Sequence, residues 1–477
     1  MTKLPYDPAD GIKFWEEIRK LPGFPAHETM PIKHMIFESG ALFKTTEILK
    51  SVSAHQNKPL IVVMDEFPKR RDGGDLKTQA LDALRKDGWQ VRVCIMPSDE
   101  SGQVHTDMPH IQMVQKSLSA GCAVLSIGSG VVTDIAKHGC FLFQQKTGEK
   151  VPFVVVQTAN SVSAFTSNMS PTFVDGVKRT LDSRYPDALI CDLETLRDAP
   201  MEMTVGGVGD MLAVFVSFPD WYLARRLGMD STYSELAKNL VGPLGDLLLE
   251  HAEGIRAGKM ESVAMLAKII ALGGLAMSLS HATTPMSGFE HVMSHVLDLQ
   301  AEIEHAPLAV HGSQVAIATL AGAEMYRDFL TNFDPRSLKV DACYPSMDSM
   351  KKHIESGFAE IDPSGKAGAE CWADYSQKLE KWHAQRKDFK SVLKDWDLIR
   401  AQLQAETCPP ETIRNILQAV QAPIRWSQLN PPVAEKSARF AFMHASLMRK
   451  RLTLGDLLIF TGWDRETLWN KIWKDCA

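Results

Sequence analysis

The sequence lacks several features that would have narrowed its function at once. None of its eight cysteines forms a CxxC pair, so they indicate free thiols in a reducing cytosol and argue against a zinc site made of thiolates. The longest apolar runs, such as MLAVFVSF, are far shorter than a membrane span. A formal net charge of -6 gives no reason to expect nucleic acid or an acidic membrane surface as a partner.

The rest of the composition is that of an ordinary globular protein. The chain has 477 residues, of which 45% are hydrophobic and 23% are charged, which allows two or three domains and a large buried core. The N-terminal MTKLPYDPADG has no apolar core, so it does not predict a signal peptide. We therefore expect a soluble, cytoplasmic protein.

Short apolar runs in the first part of the chain predict buried strands. PLIVVMDEF, VRVCIMP, CAVLSIG and PFVVVQTA alternate with segments of helical periodicity. This alternation is typical of a parallel, doubly wound sheet. SPTFVDG followed by VKRTLDSRYPDALICDL predicts a hairpin. We assign residues 1–205 to an α/β, Rossmann-like N-terminal domain, in which residues 1–50 are expected to be a helical and looped lead-in.

From Gly206 onward the apolar spacing is helical throughout, so residues 206–477 are predicted to form an all-helical domain. Residues 332–406 have many charges and few aliphatic side chains. They predict amphipathic helices on a solvated face, or an inserted helical subdomain.

A glycine pair follows the third predicted strand. Gly128, Ser129 and Gly130 open the next helix, where a backbone without Cβ atoms and free helix amides can approach a phosphate. The third glycine of GxGxxG is missing, so a plain tight turn is supported equally by the residues. Asp134, in the first turns of this helix, could simply favour the helix dipole.

Other polar residues fall at the carboxyl ends of predicted strands, where ligands bind in such sheets. Asp65 could accept a ribose hydroxyl and favour NAD, whereas the neighbouring Lys69, Arg70 and Arg71 could bind the extra phosphate of NADP, so both cofactors stay open. The fourth strand is followed by a hydroxyl-rich loop, which contains Thr158, Ser161, Ser163, Ser167 and Asn168.

Histidines are concentrated in SGFEHVMSHVLDLQAEIEHAPLAVHG. His291 and His295 are four residues apart and share one face of a predicted helix, and His311 precedes a second one. Asp210, placed by its neighbouring glycines at the start of a helix, would complete a site of one carboxylate and two histidines. Such a set suits zinc, iron(II), nickel or manganese. The alternatives are an ordinary surface or core histidine pair and a carboxylate that only favours a helix dipole.

These motifs and their order resemble the sn-glycerol-1-phosphate dehydrogenases, in the iron-containing alcohol dehydrogenase and dehydroquinate synthase-like superfamily. The resemblance rests on GSGVVTDIAK, TANSVSAFTS, VGGVGDMLA, SGFEHVMSH and LAVHG, and it covers roughly residues 30 to 330 and 411 to 460. It implies a nucleotide-binding domain, a helical domain and a site in the cleft between them.

The resemblance also implies roles for individual residues. Contacts to NAD or NADP are implied for Gly128, Ser129, Gly130, Asp134, Thr158, Ser161 and Ser167. One divalent metal, most simply zinc, would be bound by Asp210, His291 and His311. His295 would face the substrate and relay a proton to its oxygen. From charge alone, Lys178 and Arg179 are candidates to bind a substrate phosphate.

The implied reaction interconverts dihydroxyacetone phosphate and sn-glycerol 1-phosphate. Ser163 stands where that family usually has an aspartate that touches substrate hydroxyls, so a related polyol phosphate is also open. A sugar-phosphate cyclase of the dehydroquinate synthase type and a non-catalytic nucleotide-binding relative are the alternatives. The expected partner is a small phosphorylated polyol or ketone, with no nucleic acid and no membrane span, and a homodimer would not be surprising.

Overall fold

The structure is a computed structural model that describes residues 3–26, 28, 30–100, 102–174 and 177–476, without the side chains of 177, 178, 475 and 476. Its strands are β1 His34–Glu38, β2 Pro59–Asp65, β3 Arg70–Arg71, β4 Gly74–Asp75, β5 Gln90–Met96, β6 Ala123–Gly128, β7 Phe153–Gln157, β8 Met169–Val174, β9 Val177–Asp182 and β10 Ala188–Asp192.

The first eleven α-helices are α1 Ile12–Ile18, α2 Thr45–Ser51, α3 Leu76–Lys86, α4 Met108–Ser117, α5 Gly130–Thr147, α6 Leu193–Arg197, α7 Met201–Leu212, α8 Val214–Arg226, α9 Glu235–Val241, α10 Leu244–Arg256 and α11 Met260–Leu279. The others are α12 Phe289–Ile303, α13 His311–Asn332, α14 Met347–Phe358, α15 Lys366–Ala384, α16 Arg386–Lys394, α17 Trp396–Glu406, α18 Pro410–Ala419, α19 Glu435–His444, α20 Leu454–Phe460 and α21 Arg465–Cys476.

Packing divides the chain into two compact units. The first unit comprises residues 1–211 and 235–279, and the second comprises 212–234 and 280–477. The boundary falls inside α7, between Met211 and Leu212. The division into domains at residue 205, with an insertion at 332–406, stays a prediction.

The first unit contains a six-stranded parallel sheet in the order β1-β10-β7-β6-β2-β5. Helices α2 and α3 and the short 3-10 helix Ala41–Lys44 pack against apolar side chains of its inner strands. From β2 the chain adds β5 on one side and then returns to add β6 on the other. The β2–β6 pair is therefore the topological switch point, where open parallel sheets bind ligands at their carboxyl edge.

The predicted fold class is confirmed, and two local predictions are corrected. Residues 1–50 were expected to be helical and looped, but they include β1, whose residues are mostly half-buried because it is an edge strand. The second arm of the predicted hairpin is split: β9 pairs with β8, whereas β10 enters the central sheet between β1 and β7. Neither β1 nor β10 has a close sequence neighbour as its partner.

The second unit is helical among its described residues, as the periodicity predicted.

Two apolar stretches of the chain, Met201–Arg226 and Met260–Leu279, are long enough to cross a membrane by length and composition. Their most apolar windows are 78% and 83% buried, as expected for core helices of a globular protein.

Candidate active site

The glycine turn lies at the switch point of the sheet. The register of β2 and β6 pairs Met64 with Ile127, so the next residues, Asp65 and Gly128, stand side by side at the carboxyl edge. Ser129 caps α5 in an extended conformation, and α5 then runs for 18 residues. The predicted strand–glycine–helix arrangement is thus present at the edge where a nucleotide is expected.

Side chains would not fit at either glycine of this turn. A Cβ built on Gly128 would lie 2.3 Å from Val132 Cβ, and one built on Gly130 would lie 2.4 Å from Val162 Cγ2. The helix and the loop after β7 therefore approach the turn as closely as only glycine allows. Nearby, the Thr133 and Ser161 hydroxyls are buried without a hydrogen-bond partner, and they could contact a bound ligand.

A buried lysine holds the hydroxyl-rich loop against α5. Lys137 Nζ lies 2.7 Å from Asp134 Oδ1 and donates to the carbonyls of Ala164 and Ser167 at 2.9 and 3.0 Å. Its side chain is fully buried. The sequence analysis missed Lys137, although its i, i+3 spacing from Asp134 was a usable signal. Asp134 is therefore the ion-pair partner of Lys137 as well as a carboxylate near the start of α5.

The rest of the loop is also fixed by protein contacts. Thr158 N–H donates to the Gly128 carbonyl at 3.1 Å, and the Ser167 hydroxyl accepts from Met169 N–H at 3.0 Å. Ser163 is buried, and its carbonyl packs on α11, where a Cβ on Gly274 would lie 2.4 Å from it. The loop is thus rigidly placed beside the glycine turn, with Ser161 and Ser163 within it.

Asp65 does not present a free carboxylate. Lys69 Nζ donates to Oδ2 at 2.7 Å, and Lys77 Nζ donates to Oδ1 at 3.1 Å. Burial lowers the pKa of Lys69, against the attraction of Asp65. Arg71 is occupied as well, because it donates to Asp192 at 2.8 Å.

Three histidine rings cluster in the second unit. The ring centroids of His291 and His311 are 5.2 Å apart, and His295 stacks on His311 at 5.9 Å. His291 and His295 lie on one face of α12, and His311 is the first residue of α13. His305 lies exposed beyond the end of α12. The i, i+4 spacing placed His291 and His295 on one helix face, and the ring of His311 lies beside them.

Asp210 lies in the last turn of α7, not at the start of a helix as predicted. The glycines before it lie inside the helix. Position 207 needs a glycine because the Asn160 backbone packs against it: a Cβ there would lie 2.0 Å from the Asn160 carbonyl oxygen. Asp210 belongs to the first unit, whereas the histidine cluster belongs to the second.

Neighbouring groups determine which ring nitrogen of each histidine can bind a metal. His291 Nδ1 lies 2.9 Å from Glu290 Oε1, an oxygen that also accepts from Gly288 N–H at 2.7 Å. Nδ1 therefore carries the proton, which leaves Nε2 with its lone pair. Glu290 is fully buried, and a carboxylate behind a histidine is a common support of metal ligands.

The same logic holds for His311. Its Nδ1 lies 3.1 Å from the Ser294 hydroxyl, which donates its only hydrogen to Gln314 Oε1 at 2.7 Å. The serine oxygen must therefore accept from Nδ1–H, so His311 also keeps a lone pair on Nε2. Glu290, Ser294 and Gln314 were missed by the sequence analysis. The donor set and its protonation fit a divalent cation.

A buried aspartate joins the helices around this cluster. Asp220 in α8 accepts from the Tyr326 hydroxyl at 2.6 Å and from Phe289 N–H, at the start of α12, at 2.8 Å. Burial raises the pKa of Asp220 to about 7, against the Tyr326 hydrogen bond and with Glu290 nearby. Asp220 thus fixes the first turn of the helix that carries His291 and His295.

Comparisons with known proteins agree with this architecture. The family model for iron-containing alcohol dehydrogenase matches residues 36–200. In solved structures, the chain is similar to an archaeal halo-thermophilic alcohol dehydrogenase from a Red Sea brine pool, with a TM-score of 0.56 and 12% identity over 94% of this chain and 99% of the other. The alcohol dehydrogenase of Oenococcus oeni gives 0.55 and 13% over 94% and 98%. At these identities, the two structures support the fold alone.

Sequence relatives carry a more specific name. Glycerol-1-phosphate dehydrogenase [NAD(P)+] of Bacillus subtilis is 29% identical over 331 residues, which are 67% of this chain and 80% of the relative. The Geobacillus thermodenitrificans protein of that name is 30% identical over 273 residues, 57% of this chain and 65% of the relative. For the one from Methanococcoides burtonii, the values are 31% over 242 residues, 50% and 62%.

The family model and the relatives together support a metal-dependent, NAD(P)-linked oxidoreductase of the iron-containing alcohol dehydrogenase superfamily. Within that superfamily they support the glycerol-1-phosphate dehydrogenase family, in agreement with the resemblance. The side chain of Lys178 lies outside the part that the structure describes.

Proposed function

We propose that this protein interconverts dihydroxyacetone phosphate and sn-glycerol 1-phosphate, with NADH or NADPH as hydride donor. The names of its relatives suggest this substrate. The observation that carries the proposal is the histidine cluster of the second unit, in which Nδ1 of His291 and of His311 lies at hydrogen-bonding distance from Glu290 and Ser294. In the neutral rings Nε2 is then the nitrogen that can bind a metal. A set of one carboxylate and two histidines leaves coordination positions open for a substrate oxygen.

In this proposal Asp210, His291 and His311 hold one divalent metal, for which zinc is our first choice and nickel, iron or manganese are the alternatives. Such an ion supplies Lewis-acid chemistry that stabilises negative charge on the ketone oxygen. The glycine turn, Asp134, Thr158, Ser161 and Ser167 bind the dinucleotide, with its pyrophosphate at the start of α5.

His295 is the proposed proton donor to the substrate oxygen. It is half-buried, and its ring stacks on that of His311. It lies one helical turn after the proposed ligand His291 and is not itself a proposed ligand. Ser163 is proposed to hydrogen-bond a substrate hydroxyl, and Lys178 to contact the phosphate. Because serine carries no charge, a related polyol phosphate is the second candidate substrate.

The test is NADH and NADPH oxidation with dihydroxyacetone phosphate, after metal removal and addition of zinc, nickel, iron(II) or manganese. We expect turnover that depends on the metal, and weaker turnover with unphosphorylated dihydroxyacetone. Preferred reduction of the unphosphorylated ketone would contradict the phosphate assignment. Nucleotide binding without turnover of any ketone would favour a non-catalytic relative.

His295→Ala separates the proton donor from the metal ligands. The variant should keep its metal, measured by elemental analysis, and lose rate, because general acid catalysis contributes roughly 10²–10⁴-fold. Loss of the metal would instead make His295 a ligand. A cytoplasmic location and a homodimer are part of the proposal, and they can be checked by fractionation and by light scattering.

A further inference from the structure

Residues 332–406 contribute a buried cation to the second unit. Lys378 in α15 is fully buried, and its ammonium lies 2.7 Å from Asp456 Oδ1. It also donates to the carbonyl of Arg451 at 3.2 Å and to that of Ser446. The ammonium thus donates to two backbone carbonyls, and its charge is paired with that of Asp456. Removal of one partner of such a buried ion pair strongly destabilises the fold, because the other partner is left as an uncompensated charge.

The ion-pair partner and the two carbonyl acceptors of Lys378 lie in one stretch, residues 446–456. Asp456 uses its other oxygen to cap α20, where Oδ2 accepts from Thr453 N–H at 2.9 Å. Lys378 therefore binds this stretch at its beginning, its middle and its end. The conformation of residues 446–456 depends on a side chain from a helix about seventy residues earlier in the chain.

Residues 446–456 hold the approach to α12. The Arg451 guanidinium donates to the Thr283 hydroxyl at 2.6 Å and to the Ser287 carbonyl. Ser287 precedes Gly288, the N-terminal cap of α12. Since Arg451 O is itself bound to Lys378, the same residue connects α15 to the segment that leads into the histidine-bearing helix.

A second route reaches the first turn of α12. Leu454 N–H donates to Asp220 Oδ1 at 2.8 Å, and the other oxygen of Asp220 accepts from Phe289 N–H at 2.8 Å. Gly455 packs directly on Phe289, because a Cβ there would lie 2.8 Å from a ring carbon. Residues 446–456 therefore reach the backbone of Phe289 through Asp220, and they contact its ring directly.

We propose that α15 positions α12, and hence His291 and His295, through Lys378 and residues 446–456. Lys378 is a positioning residue that does not touch the reacting atoms. This gives the charged helical stretch 332–406 a role in the site. The consequence for metal binding rests on the proposed function, whereas the positioning of α12 itself does not.

The first test is hydrogen exchange of the amides of residues 287–292 in the metal-free full-length protein. Lys378→Met leaves Asp456 buried and unpaired, so we expect these amides to exchange at least about tenfold faster than in the wild type. Lys390→Met, at an exposed lysine in α16 of the same charged stretch, is the control and should leave them unchanged. Unchanged exchange at 287–292 in Lys378→Met would overturn the proposal.

If Lys378→Met does not fold, the double variant Lys378→Met/Asp456→Asn removes both charges and is expected to fold, since loss of the whole pair is milder than loss of one partner. It lacks the ammonium that binds the Arg451 and Ser446 carbonyls, so its 287–292 amides should still exchange faster. Wild-type exchange there in the double variant would equally overturn the proposal.

The second readout is cobalt(II) affinity, followed by its visible absorption. A folded Lys378 variant should bind cobalt roughly tenfold more weakly, in the range of outer-shell changes, whereas Lys390→Met should bind it like the wild type. A lower melting temperature with wild-type cobalt affinity would reduce Lys378 to a purely structural role and overturn the positioning. Failure of the wild type to bind cobalt would refute the metal site, and the exchange data alone would then decide the positioning.

Discussion

The contacts that shape the glycine turn all lie between residues 128 and 167, whereas the histidine cluster draws its supports from residues 220 to 456. The turn is built by backbone and by close apolar contact, at the end of a parallel strand. The cluster is built by buried polar side chains that fix rings and helix ends. The first arrangement tolerates no added volume, and the second tolerates no unpaired charge.

The two regions should therefore fail in different ways. At the turn, a small increase in size should weaken nucleotide binding and leave metal binding intact. At the cluster, loss of one polar partner should weaken metal binding and leave nucleotide binding intact. The four predictions below test this difference, from the largest expected effect to the smallest.

His311→Ala removes a proposed ligand and should have the largest effect. We expect metal affinity to fall by much more than the roughly 10–100-fold typical of outer-shell changes, with NADH binding unchanged. Elemental analysis after dialysis and NADH fluorescence titration measure the two properties. His305→Ala, at an exposed histidine beyond α12, is the control, and full metal retention in His311→Ala would exclude this residue from the site.

Gly128→Ala inserts a methyl group 2.3 Å from Val132 Cβ. The clash should cost about 1–3 kcal/mol of stability and weaken NADH binding, with little change in metal content. Thermal unfolding and NADH titration give both values. Gly148→Asn is a suitable control, because Gly148 ends the same helix at φ 76° with nothing within 4 Å, and asparagine tolerates that conformation. Wild-type nucleotide affinity in Gly128→Ala would contradict the proposed role of the turn.

Glu290→Gln keeps the size of the buried acid behind His291 but removes its charge. Metal affinity should fall about 10–100-fold, because the weaker hydrogen bond at Nδ1 makes the ring a poorer donor. Cobalt titration measures it. Glu304→Gln, exposed at the other end of α12, should behave like the wild type. Equal affinities for the two variants would mean that Glu290 only orders the helix start.

His138 lies in α5, the helix that begins at the glycine turn, and is 4% exposed. Burial first, and then the neighbouring Lys137, lower its pKa from 6.5 to about 4. Between these two pH values His138 is protonated in the unfolded chain but neutral in the folded one. The free energy of unfolding therefore falls as the pH drops from about 6.5 toward 4. Between pH 8 and pH 5 this should cost about 2 kcal/mol.

His138→Phe should abolish this part of the acid sensitivity while keeping the ring that stacks on Phe141. Urea unfolding of the wild type and the variant at pH 8 and pH 5 gives the comparison. An equal loss of stability in both proteins would assign the acid sensitivity to other groups.

The sequence predicted the features that depend on neighbouring residues. Strands β2, β5, β6 and β7 are continuous apolar runs, and the i, i+4 spacing of His291 and His295 places them on one helix face. The glycine turn could be found for the same reason, because a strand, two glycines and a helix are consecutive. The roles given to these site residues stay predictions.

Features that depend on distant partners could not be predicted. β1 is as long as β7, but it has polar residues at both ends and is mostly half-buried, so it does not stand out until its partner β10 is known. Asp210 was placed at a helix start because glycines usually interrupt helices, whereas Gly207 accommodates the backbone of Asn160. Lys378 occurs among many charged residues, and nothing local distinguishes the one that is buried against Asp456.

The strand order also determines when the first unit can be completed during synthesis. β1 is made first among the strands, yet its only partner in the described sheet is β10, which ends at Asp192. Helices α9 to α11 of the same unit extend to Leu279. At a synthesis rate of about 5–20 residues per second, the residues from Glu38 to Asp192 take about 8–30 seconds to make, so β1 waits that long on the ribosome for its neighbour.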